Sequence, residues 1–415
     1  MKIAIVGTGI SGLGAAYLLN PQHDITVYEA APGVGGHSRT IDVPTPQGRL
    51  PVDTGFIVFN HANYPLLTGL FDHLGVETEA SDMSFGVSIA NGWLEYSSDA
   101  PLAQMRNLFR PAYWGMIRDV LRFNREAASF IEAHPDLTLD ECLTRMRMGQ
   151  WFRDYYLEAM GAAIWSCSAD TILKYPAAAF IRFFKNHCLL SITKHLQWYT
   201  VRGGSRAYVA KLTAGFADKI RTSCAVTRIT RDNDGVTVMD ARGESARYDH
   251  VIMAAHANQS LALLDRPTAD EQDILGAFTY QPNNIIVHSD PSFMPQRRKC
   301  WASWIYLSQH QQDNNESVSL TYWMNRLQNL PTATPVLVTL NPHRRPAEHL
   351  IHDEHRFSHP VFTAAALKAQ QELPRIQGKN HVSYCGAWQR YGFHEDGLLS
   401  AVQVAQQLGA PLPWK

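Results

Sequence analysis

Few of the features that mark a specialised protein class are present in this chain. Cysteine is scarce and scattered. Cys142, Cys167, Cys188, Cys224, Cys300 and Cys385 form no C-x-x-C pair, which suits buried thiols in a reducing cytoplasm and excludes a disulfide framework. No cluster of Cys and His has zinc-like spacing, although 18 histidines leave an irregular site open; no metal is expected. Neither charge sign dominates, with 37 Lys and Arg against 38 Asp and Glu, so bulk electrostatics recruit no nucleic acid or other polyanion. No segment approaches the run of about 20 apolar residues that spans a bilayer. The chain opens with Lys2 and a short apolar stretch, without the longer apolar region and cleavage site of a signal peptide. Repeats and low-complexity tracts are missing as well. These absences leave a chain of 415 residues, long enough for two domains with substantial cores and expected in the cytoplasm.

What is present starts at once. In "IAIVGTGISGLGAA", Ile3 to Val6 read as a buried strand, and Gly7, Gly9 and Gly12 fit G-x-G-x-x-G before a helix carrying Ile10 and Ser11. The first glycine permits a tight turn, the second lets backbone approach a pyrophosphate, and the third lets helix pack on strand. A second strand, "DITVYEA", ends at Glu29 and Ala30, near the spacing of a carboxylate that binds ribose hydroxyls. No basic residue stands beside Glu29, which argues against a 2′-phosphate. A glycine-rich turn alone is common; strand, turn, helix and acid together point to a dinucleotide.

"APGVGGHSRT" then places a second glycine pair, Gly35 and Gly36, where a protein binding only NAD needs none. From Met1 to about Gly55 the chain resembles the FAD-binding start of the flavin amine oxidase and phytoene desaturase superfamily. That resemblance implies that Gly36, Ser38, Arg39 and Thr40 lie against the pyrophosphate and ribityl chain of FAD. The superfamily's usual arginine after the glycine pair is His37 here, with Arg39 as a substitute two residues on. "PVDTGF" is similar to the D-x-G turn that follows in these flavoproteins, through Asp53, Thr54 and Gly55. "HVSYCGAWQRYGFHEDGLLSAVQVAQQL" resembles the closing motif, with a strand at His381 to Cys385 and a helix beginning near Gly397; Gly386, Asp396, Gly397 and Leu398 carry that likeness. A helix N-terminus there favours the negative charge of a reduced flavin. "RGGSRAYVAKL" and the meander "CAVTRITRDNDGVTVMD", joined at Asp232 to Gly235 and returning as strand Val251 to Ala255, resemble the second FAD segment, with Val226 against the adenine.

The expected fold class is therefore α/β: an FAD-binding Rossmann-like domain of the GR2 type with an inserted α+β substrate domain of mixed sheet plus helices. Segments 1–75, 199–268 and 379–415 are assigned to FAD, and 76–198 and 269–378 to the substrate domain. In the first insert, Phe85 to Ser97 reads as a hairpin about Asn91-Gly92. A helix follows from Pro111 to Pro135, with Tyr113, Met116, Val120, Phe123, Ala127 and Phe130 on one face and Arg118, Arg122 and Arg125 on the other. Such a helix can lie on an anionic membrane, which makes a peripheral membrane contact one expectation; packing on its own domain is the plainer one. In the second insert, "NNIIVHSD", "KCWASWIYL", "SVSLTYWMN" and "TPVLVTL" read as strands of a mixed sheet. Its aromatics Trp301, Trp304, Tyr306, Tyr322 and Trp323 would place an apolar pocket over the flavin, or simply fill the sheet core.

Flavin itself accepts the hydride, so the protein orients and polarises. His394 is one candidate for proton removal, and Glu395 is a second base or a charge favoured at a helix start. Lys299 could hold a water at the flavin, or sit on an exposed basic turn; Cys385 reads as a buried thiol rather than a covalent flavin link. "WASW" and "YGFHEDGL" look most like bacterial FAD oxidoreductases associated with cyclopropane or methylated fatty-acid synthesis, which implies a dehydrogenase or desaturase of acyl chains on a hydrophobic or lipid substrate. An amine oxidase, a flavin-dependent isomerase without net redox change and a flavin-binding partner subunit are the other readings.

Overall fold

The computed structural model describes residues 1–165, 172–190, 196–308 and 319–414. Lys2–Val6 forms the middle strand of a five-stranded parallel sheet, flanked by Asp24–Tyr28 and then Ile220–Arg221 on one side, and by His250–Met253 and then Val382–Tyr384 on the other. From Ile3 to Val6 it is continuously apolar and buried rather than alternating, because both sheet faces are covered. Parallel strands require a crossover, and helix Ile10–Leu19 supplies the first one. Only Tyr17 of this helix escapes burial, because the sheet lies on one side and the last helix, His394–Gln407, crosses the other. Distant stretches of chain thus supply neighbouring strands. An antiparallel meander of Val226–Asp232, Gly235–Asp240 and Ser245–Tyr248 stands beside this sheet.

The larger sheet has seven strands, in the order Ile351–Val361, Thr279–His288, Leu337–Leu340, Ser319–Trp323, Trp304–Ser308, Phe85–Ile89 and Leu94–Ser97. All four strands expected from the second insert are there. The hairpin of the first insert joins them, its strand Phe85–Ile89 running parallel to Trp304–Ser308, so the two inserts share one sheet. Asn91 and Gly92 both have positive φ, as a two-residue turn of the expected type requires. Pairing puts Phe85, Trp304, Tyr322 and Val338 in one file across the sheet. That file packs with Val43, Val52 and Ile57 of the N-terminal part of the chain. Trp301 and Trp323 instead pack with Phe293 and Ile305 on the opposite face, so the aromatic set does not line a single pocket.

Three further expectations are corrected. The closing helix starts at His394 rather than near Gly397, because Asp396 reaches back to accept from the Phe393 N–H at 3.0 Å and closes an earlier first turn. Helix Pro111–Ala133 buries Ile131 and Asp119 where Phe130 and Val120 are only half-buried. Its arginines divide: Arg118 and Arg125 are largely solvent-exposed and pair with their neighbours Asp119 and Glu126, whereas Arg122 turns inward, shares Asp119 and donates to the Arg147 carbonyl at 2.8 Å. Among the described residues no cysteine is paired and no three His, Cys, Asp or Glu side chains could hold a metal; Cys167 lies outside them. No described helix is long and apolar enough to cross a membrane.

Asp53 ties strand Gly48–Asp53 to Ser205, just before helix Arg206–Thr213, and to Gln328. Its buried carboxylate accepts from the Ser205 N–H and hydroxyl, the Thr40 hydroxyl and the Gln328 amide, while the Gln328 carbonyl accepts from the Asp53 N–H. Desolvation pushes its carboxyl up to about 6. Replacing Asp53 by Ala orphans those buried donors, so D53A is expected to cost about 2–4 kcal/mol in urea unfolding. A loss below half of that would mean the clamp is dispensable.

Candidate active site

Three blocks of sequence meet at the start of helix Ile10–Leu19. Gly7 has φ +109°, and a Cβ there would lie 2.7 Å from the Ala254 carbonyl oxygen. A Cβ on Gly12 would lie 1.9 Å from the Gly7 carbonyl oxygen, so helix and strand touch through hydrogens alone. Gly9 differs, because a Cβ there would meet nothing within 4 Å. Gly9 caps the helix without a side-chain bond, so the first-turn N–H groups at Ile10 and Ser11 have no side-chain cap, and the space beside Gly9 would admit a ligand to them. Gly36 comes from the second block, with its Cβ direction 3.0 Å from Gly9 Cα, and Gly397 from the last, 2.9 Å from Ile10 and Ser11 side-chain atoms. Leu398 presses on Gly14 beside it.

Glu29 sits next to this turn. It accepts from the Thr8 N–H at 3.0 Å and the Ala31 N–H at 2.8 Å, and from the Thr8 hydroxyl, with Ala30 exposed alongside. The Cys224 N–H donates to the Glu29 carbonyl, which brings the strand beginning at Val226 to the same edge. Gly35 bonds back to the Thr8 carbonyl at 3.1 Å. His37 stacks on Phe357 at 4.4 Å, near His359 and His256, and its Nε2 is buried without a hydrogen-bond partner. Arg39 does not replace the missing arginine, because its guanidinium is engaged bidentately by Asp353 at 2.8 and 3.1 Å. Thr40 and Asp53 belong to the internal clamp, and the Thr54 N–H pairs with the Arg39 carbonyl. A Cβ on Gly55 would strike the His37 carbonyl oxygen at 2.2 Å, so this turn holds the histidine loop down. The Ala255 carbonyl accepts from Trp388 at 3.2 Å, and the Gly386 N–H donates to Ser400.

At the start of the closing helix the candidates for proton chemistry separate. His394 Nε2 bonds the Ser38 hydroxyl at 2.9 Å, Ser38 bonds Tyr208, and the His394 ring stacks on Phe56 at 3.8 Å. Desolvation lowers the imidazole to about 3, so it stays neutral and holds no abstracted proton near neutral pH. Glu395 is a cap: its carboxylate accepts from the Leu66 and Leu67 N–H groups, both at 2.9 Å, at the start of helix Pro65–Leu74. Asp396 is occupied by the Tyr391 and Phe393 N–H groups. Lys299 is exposed on the turn whose neighbours Gln296 and Arg297 pack on the Phe85–Ser97 hairpin, apart from these groups. Cys385 is buried, and desolvation pushes its thiol up to about 12. Phe56 and Tyr208 escape notice in the sequence, where each reads as an ordinary core aromatic.

A family model described as flavin-containing amine oxidoreductase matches residues 10–408. The chain belongs to that family. No protein of curated function matches its sequence. Among solved structures it is similar to a CLA-producing fatty acid isomerase from P. acnes (15% identity, 98% of each chain, TM-score 0.68). It is also similar to putrescine oxidase bound to putrescine (14%, 99% and 100%, TM-score 0.70) and to cyclohexylamine oxidase from Brevibacterium oxydans IH-35A (17%, 98% and 99%, TM-score 0.68). At such identities these likenesses speak for the fold.

FAD is the family's cofactor, and the residues present fit it. The open space at Gly9 and the free N–H groups of the first turn suit a pyrophosphate, Glu29 suits a ribose, and the orphaned His37 Nε2 faces a missing polar partner. Two glycine substitutions should therefore part company. G9A should fold with unchanged thermal stability of the apoprotein and lose most bound flavin, whereas G12A should fail to reach the native fold; equal flavin content in G9A and wild type would contradict the cradle.

Burial holds His256 and His359 at about 4 and His394 at about 3, below their value of about 6.5 in the unfolded chain. The unfolded state takes up protons first, so this contribution is intact above pH 6.5 and lost as pH falls toward 4, on the order of 3 kcal/mol per histidine at most. Denaturant midpoints measured from pH 7 to 4 should fall steeply across that window. For Glu395, E395A should cost about 1–2 kcal/mol through the lost cap while flavin-loaded enzyme keeps its turnover to within about tenfold. A loss of about a thousandfold or more would restore the base role.

Proposed function

We infer that this flavoenzyme takes a hydride from an uncharged, hydrophobic substrate, a fatty acyl chain whose reacting carbon adjoins a double bond. One observation carries the reading: no carboxylate at the start of the closing helix is free to hold an ammonium group. Glu395 and Asp396 are consumed by backbone N–H groups, and the imidazoles of His394, His359 and His256 are kept neutral by burial. A cationic amine entering such surroundings would forfeit its hydration without gaining a partner. FAD, when bound, would accept the hydride, the proton lost from the adjoining carbon as the new double bond forms would pass to water, and the chain supplies position.

Apolar side chains support the same conclusion. Phe393 packs on Phe183 at 5.2 Å, and Tyr306 joins the cluster that both border. Trp304 lies edge-on to Tyr322 at 4.8 Å in the neighbouring cluster, its indole N–H buried without a partner. A chain with unactivated C–H bonds is a poor hydride donor, which is why the adjoining double bond belongs to the proposal.

Anaerobic mixing tests it. Unsaturated fatty acid or phospholipid should bleach the oxidised flavin band in proportion to a newly desaturated product, and amines should leave the band unchanged. Bleaching by amines with peroxide release in air would replace this reading with an amine oxidase. Turnover of lipid only with prereduced flavin, and with no change in its absorbance, would replace it with an isomerase.

A further inference from the structure

The segment between the hairpin and helix Pro111–Ala133 is folded inside out. In the short helix Met105–Phe109 and the residues before it, the uncharged polar side chains Gln104 and Asn107 are buried while Leu102, Met105 and Phe109 face solvent. Gln104 and Asn107 are 1% and 0% exposed, whereas Leu102, Met105 and Phe109 are 42%, 66% and 86% exposed. The arrangement is fixed by hydrogen bonds. Gln104 donates to the Gly92 carbonyl at 2.9 Å and accepts from the Glu95 N–H at 2.9 Å, Asn107 donates to the Glu95 carbonyl, and Tyr113 donates to the Pro101 carbonyl. A backbone fixed in this way displays Met105 and Phe109 at no further ordering cost, and ordinary burial offers no reason to do so.

The apolar display continues along the next helix. Trp114, whose indole N–H donates to the Leu108 carbonyl at 3.0 Å, and Leu121 are 46% and 50% exposed. Arg118 and Arg125 fall on the same stripe, four and eleven residues after Trp114, with side chains 76% and 75% exposed. From Pro101 to Arg125 the chain carries five arginines and one acidic residue, the buried Asp119, which Arg118 and Arg122 share; Glu126 follows and pairs with Arg125, so the segment keeps a net positive charge. Arg106 and Arg110 fasten the segment to the hairpin through the Trp93 carbonyl and keep their positive charge beside the apolar tip.

We propose that Leu102, Met105, Phe109, Trp114 and Leu121, framed by Arg118 and Arg125, form a docking surface for an anionic lipid bilayer. Charge complementarity selects this occupant: the apolar side chains enter the acyl boundary while the arginines remain at the headgroups. A second copy of the chain would bring the same arginines against themselves. Membrane docking is independent of which substrate reaches the flavin, and its test reads no turnover.

The FAD-loaded protein is sedimented with vesicles of phosphatidylcholine alone or mixed with phosphatidylglycerol. Wild type should pellet with the mixed vesicles and be released in part by high salt. M105S/F109S should bind about 100-fold more weakly with unchanged flavin content and thermal midpoint, and R118Q/R125Q should lose about tenfold on the anionic vesicles alone. Wild type that stays in the supernatant with both vesicles overturns the proposal, as does M105S/F109S binding like wild type. A dimer in sedimentation velocity that M105S/F109S converts to monomer would assign the surface to a second copy instead.

Discussion

Everything in this molecule depends on how closely backbone can approach backbone at the first turn of helix Ile10–Leu19. Gly12 lets the helix settle on the Gly7 turn, Gly36 lets the second loop reach Gly9, and Gly397 lets the last helix cross Ile10 and Ser11. A methyl group on Gly12 or Gly397 would push apart elements separated by as much as the length of the chain. Near the N–H groups that this packing leaves without a side-chain cap, His394 is held neutral by burial and Arg39 is paired with Asp353.

The same economy governs the rest of the cleft. Histidines that in water would titrate near neutrality are held neutral by desolvation, and the two carboxylates of the closing helix are occupied by amides of a neighbouring helix and of their own turn. Arg39 is paired with Asp353 across the boundary to the large sheet. Little unpaired side-chain charge is left at the start of the closing helix, which is what the proposed uncharged substrate requires.

How much of this could be read from the sequence differs by element. The glycine motif, Glu29 and the returning strands follow from local rules, since spacing and apolar runs fix a parallel sheet. The type of turn at Asn91-Gly92 follows from the same rules. Strand Ile351–Val361 does not, because "IHDEHRFSHPV" has no clean alternation of apolar and polar residues; it is a sheet edge whose side chains serve Arg39, His37 and solvent. The roles of Glu395 and Arg39 were equally hidden. Both residue types suit chemistry at those positions, and only the fold shows that Leu66 and Leu67 in one case, and Asp353 in the other, already claim them. The inverted burial of Gln104 and Met105 is also a property of the hairpin against which they lie, not of their own order along the chain.

If three remote stretches assemble one flavin cradle, each chain binds one FAD. The most direct measurement is the FAD released when the purified protein is denatured, set against protein concentration. A single FAD per chain is the predicted result, either as isolated or after incubation with FAD. A colourless protein that takes up no flavin under either condition would contradict it.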